Sequence, residues 1–421
     1  MKKTGLILLA VLAAGSAYAG DKETAHQQAL KKWQEMRFGL FIHWGPVSLM
    51  GTEIGWSRAG ERRGYKWGPG KEVAVAEYDS LYTRFNPTLF NAKEWVQIAK
   101  RAGMKYLVFT SRHHDGFSMF DTQAGDYKIT SPASPFRRDV VRELADACHR
   151  ARFGFGLYYS QPDWHHPDAF TPDRHDRYLA YLKIQVRELL TNYGKLDILW
   201  FDGLDRTAEE YGAVDINRMA RELQPHLLIN NRNGLAEDFD TPEQRVGTFQ
   251  NERPWESCIT ICQQWAWKPN DKLKSLQECL QTLISCAGGD GNLLLNVGPM
   301  PDGRIEPRQV QRLEEIGAWL KEFGEGIYGT RGGPYQPGRW GACTHKGKNI
   351  YLFLFQHPAE GKLVLPALPV KVKKAKLFQG GSIPVTVTRK EMQLSIPDHC
   401  KDDLITVLKL RLDGTVPADI L

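Results

Sequence analysis

Short, almost unbroken apolar runs recur along the first three-quarters of the chain. Each gives way to a polar or Gly-containing turn and then to a stretch with apolar residues every three or four positions. The runs Phe38–Trp44, Tyr106–Ser111, Phe153–Ser160, Leu196–Phe201, Leu227–Asn231 and Asn292–Val297 predict strands covered on both faces, because none of them alternates between apolar and polar. Helical periodicity fills Ala92–Ala102, Asp139–Ala151, Asp173–Asn192, Ile216–Leu223, Lys272–Ala287 and Pro307–Phe323, with Asp139 and Asp173 placed as N-caps and Gly154 and Gly194 as stops. Strand-then-helix order of this kind predicts an α/β fold, a (β/α)8-like barrel of the TIM type, irregular because fewer than eight strands stand out. An open doubly wound sheet would alternate in the same way.

After Gly324 the helical period disappears. Segments of strand length at Asn349–Phe355, Lys362–Leu365, Val372–Phe378, Val385–Ile396 and Leu404–Leu412 are split by Gly, Pro and Lys, which predicts a separate β-sandwich. The first residues carry Lys2 and Lys3, an apolar run from Gly5 to Ala14, and Ala17-Tyr18-Ala19, the small-x-small pattern of a cleaved export signal. The expected organisation is a signal peptide over 1–19, a catalytic barrel over 20–330 and a sandwich over 331–421. Cleavage after Ala19 would deliver the chain to the periplasm or beyond. No later run approaches the length of a membrane helix, so no membrane insertion is expected.

Composition changes this picture little. The formal charge is +6, with both signs mixed along the chain, so neither nucleic acid nor a membrane surface is implied as a partner. The 7 cysteines are an odd set without the spacing of a compact disulfide scaffold, and at least one should be unpaired. A zinc knot around Cys258, Cys262, Cys279 and Cys286 is disfavoured because the segment reads as buried strand and helix.

In a parallel barrel the carboxyl ends of the strands converge on one mouth. The unusual residues fall there: His43-Trp44-Gly45, His113-His114-Asp115-Gly116-Phe117, Tyr158 to Trp164, Trp200-Phe201-Asp202-Gly203 and Asn230-Asn231-Arg232. Asp202 follows a strand core and precedes a Gly, although Asp-Gly is also common turn chemistry. Imidazoles, a guanidinium and indole faces suit a sugar, which needs directed hydrogen bonds and an aromatic surface. The adjacent histidines also admit a metal reading, but neighbouring strand residues point to opposite faces and no His-x-His pattern occurs. Retaining glycoside cleavage needs a second carboxyl group. Glu243 in the Thr241-Pro242-Glu243 turn and Glu256 after Trp255 are the leading candidates among several acidic residues downstream. A carbohydrate-binding protein on a decayed hydrolase barrel is the alternative from a different class.

These motifs together resemble the α-L-fucosidases of glycoside hydrolase family 29. The resemblance rests on Phe38 to Gly45, His113 to Phe117, Trp200 to Gly203, Trp255-Glu256, and Gly291 to Pro299 with Asp302-Gly303. It implies a barrel with a C-terminal sandwich, a retaining mechanism without metal or other cofactor, and a pocket for one terminal L-fucose of a fucosylated oligosaccharide or glycoconjugate. Asp202 matches the nucleophile; His43, His113, His114, Tyr159, Trp200 and Arg232 match the sugar-binding set. Glu53 and Trp56 match a Glu-Trp pair, here separated by Ile54 and Gly55. The Thr-Pro-Glu turn is similar to the acid/base position of several members, which selects Glu243 over Glu256, and to that of members restricted to α-1,3/1,4 linkages.

Overall fold

A computed structural model describes residues 24–60, 72–204 and 206–416; the expected export signal lies outside them. Strands β1 (Phe38–Ile42), β2 (Tyr106–Arg112), β3 (Gly154–Ser160), β4 (Ile198–Asp202), β5 (Leu228–Ile229), β6 (Glu256–Thr260) and β7 (Asn292–Val297) alternate with helices along the chain. Every residue of β1, β2, β4, β6 and β7 is buried, which is why their sequences lack alternation. The described residues divide into two compact units.

One unit takes the chain up to Trp33, Ile54–Asn86 and Val108–Asp238. Here β3 pairs in parallel with β4, setting Tyr158 opposite Trp200 and Ser160 opposite Asp202, and β4 pairs with β5. Helices Val140–Ala151, His175–Asn192 and Ala213–Leu223 follow the strands. Asp139 caps the first of these as expected, accepting from the N–H of Arg142 at 2.8 Å. That helix stops at Arg152, which takes the left-handed conformation (φ 51), two residues before Gly154. Asp173 is not a cap. It lies in a 3-10 turn, Pro172–Arg174, because Pro172 starts that turn and the α-helix begins only at His175.

Behind β3 lies a buried ion pair, Arg112 to Asp163 at 3.0 Å. The Arg112 guanidinium sits 4.3 Å over the Tyr159 ring, and Tyr159 donates to Gln185 Oε1 at 2.8 Å. Removing either partner of such a pair leaves a buried uncompensated charge, a loss of about 3–5 kcal/mol.

The other unit comprises Gln34–Glu53, Pro87–Leu107 and Phe239–Leu421. In it β1 and β6 both pair in parallel with β7. Strand β6 is not among the six apolar runs set out above, because Glu-Ser-Cys-Ile-Thr carries little apolar signal, but it agrees with the buried strand read around Cys258. Residues 240–244 run parallel beside β6, with Glu256 N–H donating to Asp240 O at 2.8 Å and Cys258 N–H to Pro242 O at 3.0 Å. Helices Ala92–Arg101, Leu276–Gly288 and Pro307–Phe323 belong to this unit. Ser275 and Glu278 form a reciprocal capping box at the start of the second.

The same unit continues into strands β8 (Arg331–Gly332), β9 (Gly341–Lys346), β10 (Asn349–Leu354), β11 (Lys362–Pro366), β12 (Val372–Leu377), β13 (Val385–Val387), β14 (Glu391–Ser395) and β15 (Thr406–Leu412). They form a five-stranded sheet, β12-β15-β10-β9-β8, and a three-stranded sheet, β11-β14-β13, both antiparallel. Cys343, Leu352, Leu408 and Leu410 from the first sheet and Leu363, Met392 and Leu394 from the second share one core. The single strand expected over Val385–Ile396 is a hairpin, broken at the polar Thr388-Arg389-Lys390 where Thr388 N–H donates to Glu391 O at 2.8 Å. All seven cysteines are free thiols and buried. No described helix is long and apolar enough to cross a membrane.

Candidate active site

In the first unit the strand ends surround the Asp202 carboxylate. Asp202 closes β4 at 9% exposure, and Gly203 follows because a Cβ there would stand 2.4 Å from the carbonyl oxygen of Arg232. The Tyr158 hydroxyl donates to Asp202 Oδ2 at 2.9 Å. His114 Nε2 lies 3.6 Å from the same oxygen, and Arg232 Nη1 lies 3.5 Å from Oδ1. Trp200 stacks on Tyr158 with centroids 5.6 Å apart, the His113 ring also stacks on Tyr158 at 5.5 Å, and the Arg232 guanidinium sits 4.8 Å over Trp200.

The hydrogen bonds also decide the tautomer of His114. Ser160 Oγ donates to Pro162 O at 2.6 Å, so toward His114 Nδ1, 2.7 Å away, it must accept; Nδ1 carries the proton and Nε2 the lone pair. Burial, reinforced by the charges of Arg112 and Arg232, pushes the imidazolium pKa down to about 3, so the ring stays neutral at ordinary pH.

Asp115, the next residue, faces elsewhere. It accepts from Tyr78 Oη at 2.7 Å and from Phe117 N–H at 3.2 Å, while Tyr78 Oη accepts from Gly55 N–H at 2.8 Å. Burial raises its pKa to about 6. This chain holds the turn that presents Trp56, whose ring meets His114 at 5.6 Å and Trp164 at 5.1 Å, both edge-on. Gly55 makes the turn possible: it has φ +64, and a Cβ there would meet His113 Nδ1 at 2.7 Å.

Tyr159, expected in the sugar-binding set, is a correction. It points to Gln185 and Arg112 and is fully buried, whereas Tyr158 reaches the aspartate. Strand alternation explains this, since Tyr158 opposes Trp200 in register and Trp200 and Asp202 share one face.

In the second unit the side chains of His43, Asn296 and Glu53 are linked through one loop. His43 Nδ1 lies 2.7 Å from Asn296 Oδ1, and Asn296 Nδ2 donates to Trp265 O at 2.8 Å. The Glu53 carboxylate accepts from the N–H groups of Trp265 at 2.9 Å and Ala266 at 3.0 Å. The Trp265 ring stands 4.8 Å from His43. Since Asn296 presents its oxygen, His43 too carries its proton on Nδ1. Glu243 is exposed and bridges to Cys258 from the irregular segment beside β6. Glu256 opens β6 at its amino end, has 0% exposure and accepts from the Tyr106 hydroxyl. Among the described residues no three of His, Cys, Asp or Glu gather as a metal site would require.

The sugar-binding set drawn from the sequence leaves out Tyr158, Trp164, Trp265 and Asn296, although Tyr158 and Trp164 lie in the third strand-end run and Asn296 in the Gly291 to Pro299 motif. Tyr158 is separated from Tyr159 only by the register of β3 against β4, and Asn296 is a lone amide inside an apolar strand. Trp265 follows a strand that the apolar pattern does not reveal.

Parallel β/α elements whose strand ends gather a carboxylate, a neutral imidazole, a guanidinium and indole rings define a glycoside hydrolase. Comparison with known proteins makes the class specific. The model of the alpha-L-fucosidase family matches residues 7–325. Human plasma alpha-L-fucosidase is 29% identical over 383 residues, covering 82% of this chain and 80% of the relative. Alpha-L-fucosidase isoenzyme 1 from Paenibacillus thiaminolyticus superposes with a TM-score of 0.82 at 35% identity, covering 93% of this chain and 100% of that one. A Bacteroides thetaiotaomicron GH29 alpha-L-fucosidase, solved as a trapped covalent intermediate with 2-fluoro-fucosyl fluoride, gives 0.79 at 25% identity, covering 92% and 96%. The chain belongs to the α-L-fucosidase family.

Proposed function

We propose that this exo-acting, retaining α-L-fucosidase uses Asp202 as nucleophile and Glu243 as acid/base to release terminal L-fucose from fucosylated glycans. In the first step an Asp202 oxygen bonds to the anomeric carbon as the glycosidic C–O bond breaks, and the Glu243 proton passes to the leaving oxygen. In the second, water attacks that carbon, its proton returns to Glu243, and the ester bond to Asp202 breaks. The observation that carries this reading is the Asp202 carboxylate at a strand end with Tyr158 donating to it. Glu256 is set aside because it is shut from solvent and already bonded to Tyr106.

His43 and His114, protonated on Nδ1, offer Nε2 lone pairs that accept from sugar hydroxyls. Arg232 donates, and His113, Trp56 and Trp200 complete the sugar set. Glu53 acts through the loop whose backbone it holds. We read 1–19 as the export signal, 20–330 as the (β/α)8-like barrel and 331–421 as the sandwich. The ladder of residues 240–244 beside β6 supports an eighth, irregular strand. The destination is the periplasm or beyond.

The preferred linkages are α-1,3 and α-1,4. Incubation with a panel of fucosylated oligosaccharides, followed by NMR, tests both points. α-L-Fucose appearing first, and from those linkages fastest, is expected; β-L-fucose first would exclude double displacement.

Tyr158→Phe removes a hydrogen bond to a charged acceptor, worth about 1.5–3 kcal/mol. A fall of roughly 10- to 100-fold in kcat/KM on an aryl fucoside is expected. Tyr159→Phe should leave that ratio near wild type, and equal losses from both variants would contradict the assignment.

A further inference from the structure

Helix Pro307–Phe323, strands β12 and β15, and the turn before β15 line a solvent-open pocket of about 230 Å³, and its walls include no residue given a role above. That volume equals roughly eight liquid waters at about 30 Å³ each, room for one pyranose ring. Trp319, Phe323 and Phe378 form a continuous apolar wall, with successive ring centroids 5.0 and 5.4 Å apart. Gln379, His399 and Asp403 stand exposed at the rim.

Among the described residues neither Trp319 Nε1 nor the His399 ring makes a hydrogen bond, while Asp403 accepts from Thr406 Oγ1 at 3.2 Å and from the Cys400 thiol, leaving carboxylate capacity toward the rim. An aromatic wall bordered by a carboxylate, an imidazole and an amide is the chemistry that recognises a sugar, whose C–H face stacks while its hydroxyls bond in the plane. The lining contains no Lys or Arg, and Glu322 is held beside the rim by the Gln379 amide. This charge pattern disfavours sialylated or sulfated units and selects a neutral one.

We propose that this pocket is a second, non-catalytic carbohydrate site that binds one neutral pyranose of a glycan and keeps the enzyme on its polymeric substrate. The proposal goes beyond the catalytic reading and rests on it only for glycans being the substrate. The test titrates 3-fucosyllactose, at up to millimolar concentration, into the full-length Asp202→Asn protein, with bound sugars counted by native mass spectrometry.

Two sites per chain are expected. Trp319→Ala, added to that background, should weaken one of them about tenfold or more. Leu404→Arg should do the same by placing a long cation at the mouth from a residue that is 38% exposed. In the otherwise wild-type enzyme both changes should leave kcat/KM on an aryl fucoside within about twofold, since neither residue touches the reacting atoms. A single site in the Asp202→Asn parent, or two sites persisting at full affinity in both variants, overturns the proposal. Continued consumption of the trisaccharide by Asp202→Asn would instead count against the nucleophile assignment, so the two failures are distinguishable.

Discussion

Asp202→Asn is expected to lower kcat on an aryl fucoside by about 10³-fold or more, a barrier increase of about 4 kcal/mol. The change is nearly isosteric: the amide oxygen still accepts from Tyr158, now 2.9 Å from Oδ2, and the strand end keeps its shape. What disappears is the anion that forms the bond to the anomeric carbon, an interaction made in the transition state and not in the ground state. The loss should therefore fall on kcat while fucose affinity is retained. In the wild-type enzyme 2-fluoro-fucosyl fluoride should label a peptide containing Asp202, because the fluorine slows breakdown of the ester more than binding. Labelling of any other carboxylate, or a variant keeping more than a few per cent of turnover, would remove Asp202 from its role.

The second large effect concerns Glu243→Ala. With a natural oligosaccharide the leaving oxygen is a poor leaving group and needs its proton, so a loss of about 10²- to 10⁴-fold is expected. With an activated aryl fucoside, whose leaving group departs unaided, the first step should be far less affected and the second should become limiting. Added azide then replaces the general-base-assisted water, restores the rate and yields α-L-fucosyl azide. The exposure of Glu243 suits a group that must meet both an aglycone and water. Glu256→Gln should behave differently, because Glu256 is fully buried and bonded to Tyr106. It should lower the melting temperature without any azide response. Azide rescue at Glu256 in place of Glu243 would reverse the assignment.

Much of the candidate site is legible in the sequence because its polar side chains interrupt an otherwise apolar strand just as it ends. His43, His114, Asp202 and Arg232 stand out for that reason, and the run-then-turn pattern places them without any coordinates. The pattern is weaker where a strand itself carries polar residues. Glu256, Ser257 and Thr260 hide β6, and with it the loop that bears Trp265. Adjacent tyrosines show a second limit. Composition treats Tyr158 and Tyr159 alike, and only the pairing of Tyr158 with Trp200 separates the residue that touches Asp202 from the one that stacks on Arg112.

The sequence by itself determined the alternation of strands and helices, the all-β C-terminal region, the family and the strand-end aspartate proposed as nucleophile. These are written in local period and local chemistry, which survive in one dimension. Only the tertiary structure decided that Asp115 clamps the Trp56 turn through Tyr78, that Glu53 holds the Trp265 loop, and which nitrogen of His114 carries its proton. Each of these depends on a hydrogen bond between residues far apart in the chain, and the direction a donor faces is set by packing that no local pattern encodes.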